Sequence, residues 1–501
     1  MKNNNFKYSL VALAIVTSIP AQAAGFKLYE QSTSAMGNAY AGRGAQITDA
    51  SVGYTNPAAF IHLGKAQYSV GLNLVSVEGN FKNASATSAN GQAVSGASTG
   101  NIDGISAIPH FHYYQPLNDR LGFGFSIAVP FGTSSEYESD FVGRYFAQTT
   151  ELQVIAFQPA LSYQVNDTLS IGGAIALNYA QGTLSKYKDH GGLCELGTGI
   201  NGLYAQATGG IFSDVAQEAY CQSVYQVKGD DIQPSYTLGL HYQLNDKINL
   251  AVSYHSAVKY TLEGDSTINN TPITGEFVQY TANPEQYLTL AANRPVIDLT
   301  TGKLGVSGPK TEASSLVLDT PQSAIFSVDG QVSSALSVQF SATWTQWSQF
   351  TDITVKSASD VHSISGSTEQ PQNLNSDGYI GYIPELWQDA WAYALGANYV
   401  YSDTLTLKAG IARDNSPVND KYRSARIPAD SRSWLTVGAH YQPQQTWSID
   451  FAAGYMLMDD SSVTDHEYNA QSVRIEPAKS GYQADYDINA YVVSLQFNYF
   501  L

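Results

Sequence analysis

Tyr114-Gln-Pro-Leu-Asn-Asp119, Tyr163-Gln-Val-Asn-Asp167 and Tyr242-Gln-Leu-Asn-Asp246 are three copies of one short signature, each closing a run of alternating apolar and polar residues. Another such run begins within a few residues of every copy. Asn and Asp suit tight turns because their side chains accept backbone hydrogen bonds and tolerate left-handed dihedrals. A Tyr just before the turn suits a membrane–water interface, with the ring in lipid and the hydroxyl in water. Tyr399-Val-Tyr-Ser-Asp403 and Tyr441-Gln-Pro-Gln-Gln445 are looser copies, and Val332-Ser-Ser-Ala335 lies where a sixth turn belongs.

Six tight turns join twelve strands, and the runs before the first and after the last make fourteen. The connections expected on the other side are long and unequal, at about 79–103, 133–147, 184–228, 264–315, 357–386, 415–431 and 459–486. Short turns on one side and long loops on the other form the asymmetry of outer-membrane barrels. An even strand number also lets the first and last strands pair antiparallel, leaving no open edge. At the C-terminus Tyr491, Val493, Leu495, Phe497, Tyr499 and Leu501 share one face, while Ser494, Gln496 and Asn498 lie on the other. The fold class expected is an all-β membrane protein: a fourteen-stranded antiparallel outer-membrane β-barrel with an N-terminal plug.

Composition agrees. Only 14% of the 501 residues are charged, below the ~25% usual in soluble domains. Tyr contributes 34 residues against 4 Met. Mean hydropathy is slightly negative, and no segment is long and apolar enough for a transmembrane helix. With 25 Lys+Arg against 43 Asp+Glu, a net charge of −18, the chain lacks the basic footprint of a nucleic-acid partner.

Lys2 and Lys7 precede an apolar stretch, Leu10 to Ile19, and Pro20-Ala-Gln-Ala23 follows. This reads as a secretory signal peptide over 1–23, cut after Ala23. In an exported chain Cys194 and Cys221 read as one disulfide. Residues 24–64 carry small residues and short helical pieces rather than strand alternation, so they read as a plug inside the barrel of residues 65–501.

Ala24-Gly-Phe-Lys-Leu-Tyr-Glu30, Gly37-Asn-Ala-Tyr-Ala-Gly42 and Asn56-Pro57-Ala58 resemble the hatch of FadL-type long-chain fatty acid transporters. Thr343-Trp-Thr-Gln-Trp-Ser-Gln-Phe350, Asp414-Asn-Ser-Pro-Val418 and Ile427-Pro-Ala-Asp-Ser-Arg432 resemble later signatures of that family. The resemblance covers nearly the whole chain past residue 23. It implies a plugged fourteen-stranded barrel in the bacterial outer membrane that passively takes up long-chain fatty acids or similar hydrophobic compounds.

It further implies a lateral opening at a kink in the third strand, beside the hatch. Leu121–Val129 reads as that strand and Pro130-Phe-Gly132 follows it. Proline removes a ladder donor and glycine permits a bend. Pro130 and Gly132 are therefore the candidate kink residues, with Asn56, Pro57 and Ala58 as their hatch contact; alternatively Pro130 ends the strand at its outer rim. Two loop helices, one carrying Phe212 and Val215 and one carrying Tyr287 and Leu288, form either a capture groove resembling the family's low-affinity site or a loop mini-core.

A carboxylate headgroup needs a cation or several donors. By the resemblance, Lys186 stands where the family carries a basic ligand-contacting residue. A second family lysine falls at Thr354, and Lys356, on the same strand face, is its substitute; Arg432 is the third candidate. Gly96-Ala-Ser-Thr-Gly100 matches a hydrolase pattern but lies in a small-residue stretch rather than a strand-to-helix elbow. His110 and His112 share a strand face without a third ligand at metal spacing. No cofactor, metal or catalysis is expected, and the expected partners are a hydrophobic small molecule, outer-membrane lipid and lipopolysaccharide, with a monomeric barrel. Remaining alternatives are an aromatic hydrocarbon channel of the same family, a general aqueous porin and a lipid-modifying enzyme.

Overall fold

The computed structural model describes residues 25–88, 91–189, 222–269, 308–358, 379–468 and 480–501, with four two-residue strand pieces between 274 and 304. The signal segment 1–23, Cys194 and Cys221, and the loop residues Phe212, Val215, Tyr287 and Leu288 lie outside the described residues.

Fourteen strands form the wall. They are β1 (Gln67–Thr87), β2 (Gly104–Asn118), β3 (Leu121–Glu136), β4 (Thr149–Gln164), β5 (Leu169–Asp189) and β6 (Gln222–Asn245). Then come β7 (Ile248–His255 and Val258–Ile268), β8 (Lys310–Thr320 and Ser323–Gln331), β9 (Leu336–Thr345 and Asp352–Ser357) and β10 (Tyr379–Pro384 and Ala390–Ser402). The last four are β11 (Leu405–Asp414), β12 (Arg432–Gln444), β13 (Trp447–Met458 and Ser461–His466) and β14 (Gly481–Phe500). Each pairs antiparallel with its sequence neighbours. β1 pairs with β14 from Gln67↔Phe500 to Thr87↔Gly481, which closes the sheet.

The six short turns fall where the signature places them, and the Asn side chains act as expected. Asn118 Oδ1 accepts from the N–H groups of Arg120 and Leu121, at 2.9 and 3.0 Å. Asn166 Oδ1 does the same for Thr168 and Leu169, at 3.0 and 2.8 Å. In the sixth turn Ser333 Oγ takes that role toward Ala335 and Leu336. At the other end β1, β5 and β7 run into stretches expected to be loop, because polar strand ends beyond the apolar band carry no alternation to betray them.

Alternation separates two surfaces. Val70, Leu72, Leu74, Val493, Leu495 and Phe497 are exposed on the outside, while Asn73, Ser494, Gln496 and Asn498 are buried on the inside. The inside is occupied by residues 25–64. Helix α1 (Thr33–Met36) is capped by Ser32, whose Oγ accepts from Ala35 N. Helix α2 (Val52–Thr55) leads into a 3-10 helix, Pro57–Leu63, capped by Asn56 Oδ1 accepting from Ala58 N at 3.1 Å, with Pro57 at its first position.

Polar wall residues hold this segment. Asn73 Nδ2 donates to Glu30 O at 2.8 Å. His112 Nε2 donates to Gln31 O at 2.9 Å, and Gln496 Oε1 accepts from both Thr33 N and His110 Nε2 at 3.1 Å. His110 and His112 are thus spoken for as segment anchors. Lys408 Nζ donates to Ser34 O at 2.9 Å and pairs with the buried Asp450 at 3.5 Å. The 3-10 helix rests on two glycines that face each other across β5 and β6, Gly172 and Gly239. A Cβ at Gly172 would lie 2.3 Å from Ala58 N, and one at Gly239 2.0 Å from Asn56 Oδ1.

Gly239→Val should therefore push the 3-10 helix off the wall and cost about 1–3 kcal/mol by overpacking. The midpoint of thermal unfolding in detergent is expected to fall. An unchanged midpoint would show that the segment does not depend on this seat.

Candidate functional site

The wall opens between β2 and β3. β2 pairs with β1 from Gly104 to Tyr114 but with β3 only from Phe111 to Asn118, the last pair being Phe111↔Ile127. Beyond it the outer halves of β2 and β3 have no ladder between them. β3 itself continues through Pro130 and Gly132 to Glu136, held by β4, with its register slipping between Ala128 and Phe131. Pro130 therefore does not end the strand; it sits at an irregularity inside it.

The freed edge of β3 finds another partner. Leu28 N donates to Pro130 O and Gly132 N donates to Phe26 O, both at 2.9 Å, around an antiparallel bridge between Lys27 and Phe131. Gln31 Nε2 adds bonds to Leu28 O at 2.6 Å and Val129 O at 3.3 Å. A Cβ on Gly132 would meet Leu28 Cδ1 at 3.1 Å. This corrects the expected contact. Phe26–Leu28 lies against the kink, whereas Asn56, Pro57 and Ala58 sit on Gly172 and Gly239. An extended backbone with free donors and acceptors pairs well with a strand edge, whereas the Asn56 turn uses its own groups for capping, with Asn56 Nδ2 donating to Gly44 O at 2.8 Å.

Behind the kink lies a cavity of about 70 Å³. Lys27, Gln31, Arg43, Pro130, Phe131, Tyr236, His255, Ser256 and Pro321 are among the residues that line it. Phe26 anchors an aromatic cluster beside it, with ring centroids 4.9 Å from Trp347, 5.1 Å from Phe350, 5.7 Å from Trp387 and 5.9 Å from Phe131. Of these rings Phe131 lines the cavity, where Leu28, Val258 and Ile325 add further apolar surface.

The cations lie differently from expectation. Lys356 is on the wrong face. It pairs in register with Ser315, while its neighbour Val355 pairs with Leu316 and both of those belong to the buried core. Its Nζ instead covers the Tyr379 ring at 4.6 Å. Arg432 is buried in the lumen but committed to Asp414, with Nη2 and Nε at 2.8 and 3.0 Å from Oδ2. Lys186 lies on the outer part of β5 opposite Tyr225, in the field of Glu467, Asp465, Arg426 and Lys188. None of the three lines the cavity.

Two cations that the sequence reading passed over do line it, Lys27 and Arg43. Lys27 Nζ donates to Thr345 Oγ1 at 3.3 Å, and Arg43 Nη2 to Thr343 Oγ1 at 2.9 Å, with its guanidinium 4.6 Å from the Tyr29 ring centroid. Burial pulls the Lys27 ammonium down to about 7, the positive charge of Arg43 adds to that, and Asp414 opposes it. The available signal was a lone basic residue inside the otherwise apolar Gly25–Tyr29 stretch.

The family described as "Outer membrane protein transport protein (OMPP1/FadL/TodX)" matches residues 13–500. The long-chain fatty acid transport protein of Salmonella typhi is 27% identical over 495 residues, 99% of this chain and 98% of that one. A crystal structure of a Pseudomonas aeruginosa FadL homologue superposes with a TM-score of 0.74 at 23% identity, over 95% of this chain and 99% of that one. The Pseudomonas putida toluene transporter TodX superposes at 0.56 with 17% identity, over 94% and 98%.

With Lys27 near 7, the cavity is cationic below that pH and less so above it. An aliphatic carboxylate should bind more tightly at about pH 6 than at about pH 8, while the matching neutral alcohol shows no such trend. Calorimetric titration of the purified protein checks this; parallel pH profiles for acid and alcohol would remove Lys27 from the contact.

Proposed function

The chain belongs to the OMPP1/FadL/TodX family of outer-membrane transport proteins, and from that premise we propose that it passively takes up long-chain fatty acids and delivers them sideways into the bilayer at the β2–β3 seam. As a family member it is an outer-membrane protein that transports rather than catalyses, and its cargo is a hydrophobic small molecule. We take residues 24–64 to be the hatch, and the reading extends to a monomeric barrel seated in lipopolysaccharide without enzymatic activity.

One observation carries the route. The β2–β3 ladder stops at Phe111↔Ile127, and the freed β3 edge is covered by a removable strip, Phe26–Leu28, rather than by wall. An aqueous exit offers little to a fatty acid, whose tail loses about 0.8 kcal/mol per methylene on leaving an apolar phase. A seam that opens onto the hydrocarbon avoids that loss. Release then requires the strip to leave β3, since its hydrogen bonds occupy the edge. In the cavity, Lys27 and Arg43 supply the charge for a carboxylate, and Leu28, Phe131, Val258 and Ile325 receive the chain.

Toluene transporters share this fold, which supports a second reading in which aromatic hydrocarbons use the same seam. The two cationic side chains on the cavity favour an acid. An aqueous porin is disfavoured because residues 25–64 occupy the lumen.

Replacing Pro130 and Gly132 together by Val restores a donor at 130 and removes the space that Leu28 uses at 132. Uptake of labelled oleate by cells lacking their own transporter is expected to fall about tenfold or more, with the barrel still folded by heat-modified migration. Uptake at the unmodified rate would refute lateral exit at this seam.

A further inference from the structure

A second break lies four strands further round the wall, between β6 and β7. The two strands pair over Thr237–Asn245 and again over Tyr225–Asp230, and the register shifts by one residue between these blocks. Residues 231–236 have no ladder partner on that side. Their other side pairs with β5 without interruption, and Val258–Leu262 of β7 stays paired with β8. Six residues at ~3.3 Å each make a seam of about 20 Å.

The edges of this seam are capped by side chains. Tyr236 N–H, directed at β7, donates to Ser256 Oγ at 3.0 Å. Residues two apart on a strand aim their N–H groups to the same side, so Pro234 brings its missing donor to the seam. Ile232 N–H, on the same side, donates to Asp231 Oδ1 at 2.7 Å. From the facing edge Thr261 N–H donates to Asp231 Oδ2 at 2.9 Å. One backbone bond remains, from Ser256 N–H to Tyr236 O at 3.0 Å, at the inner end. A ladder that merely frayed would leave these donors unpaired in hydrocarbon, a costly state. Here Ile232 N–H is satisfied on its own strand, while Tyr236 N–H and Thr261 N–H are satisfied by side chains that reach across the seam, so the two strands are joined there by side chains instead of a ladder.

The seam connects two environments. Ile232, Tyr236 and Leu238 are 54%, 47% and 55% exposed on the outer face, so it lies within the apolar band. On its inner face Ser235, Tyr236, Ser256 and Val258 line the same cavity that reaches Pro130 and Phe131. Tyr236 is both exposed on the outer face and among the residues that line the cavity.

We propose that the β6–β7 seam is a second lateral portal, through which an acyl chain passes between the cavity and the outer-membrane hydrocarbon independently of the β2–β3 seam. The proposal rests on the cavity holding a hydrophobic ligand, as argued above. Both seams border the one cavity, so a chain can enter from lipid at one and leave at the other.

The test uses the full-length protein in proteoliposomes with a long-chain fatty acid carrying a diazirine, and photoadducts mapped by mass spectrometry. Adducts are expected at Tyr236, Ser256 or Pro321 as well as at Pro130 or Phe131. Ser256→Trp fills the seam, and the pair Asp231→Val with Pro234→Val removes a cap and restores a ladder donor. Each should lower the β6–β7 adducts by about threefold or more while those at Pro130 and Phe131 persist. Adducts confined to the β3 side, or β6–β7 adducts that neither variant lowers, would overturn the portal and leave the cavity reading standing. An absence of adducts at both seams would overturn both.

Discussion

Hydrocarbon offers no hydrogen bonds, so each backbone donor and acceptor in a membrane wall must find its partner within the protein. Closure of β1 on β14 meets that requirement for the barrel as a whole. The informative places are those where a neighbouring strand is missing and something else takes its part. At β3 the substitute is a second piece of backbone, Phe26–Leu28, held by two 2.9 Å bonds. At β6 it is a set of short side chains, Asp231 and Ser256, together with a proline that needs no partner. The β3 edge is covered by backbone, whereas the β6–β7 edges are bridged by side chains that reach across the seam. The two seams are therefore different devices meeting one constraint.

The lumen works by the opposite chemistry. Its wall is polar, and residues 25–64 are held by hydrogen bonds with Asn73, His112, Gln496 and Lys408, with His110 bracing Asn73 and Gln496, rather than by an apolar core alone. Each such bond contributes about 0.5–1.5 kcal/mol, so the segment is fixed at many points, its first residues by the two bonds to β3 and the rings around Phe26. The cavity lies beside those residues, where Lys27 joins the strip to the charge of the pocket.

Much of the fold was legible because it is written locally. Asn118 and Asn166 announce their turns by chemistry that acts within three residues, and period-2 alternation marks the two faces of β1 and β14. Partners inside the lumen were not legible. Asn56-Pro-Ala58 was recognisable as a structured turn, but its seat depends on Gly172 and Gly239, residues far away in the chain that meet only in the closed barrel. Lys356 was placed correctly on the face of Thr354, yet which face of β9 looks inward follows from the pairing of Val355 with Leu316. Arg432 carried no sign that Asp414 would neutralise it. The β6–β7 seam left only Pro234 as a trace, and a proline within a strand has several explanations until its missing N–H is assigned a side.

The central claim is that Phe26–Leu28 serves as the detachable edge partner of β3. Lys27 and Phe131 face each other across an antiparallel bridge, a spacing of about 4.5–5.5 Å between Cα atoms that suits a disulfide. Oleate uptake should be measured with Lys27→Cys and Phe131→Cys combined, oxidised and then reduced, beside each single variant treated alike. The account predicts that oxidation of the pair blocks uptake, that reduction restores it, and that neither single variant responds. Uptake at the same rate in the oxidised and reduced pair would contradict it.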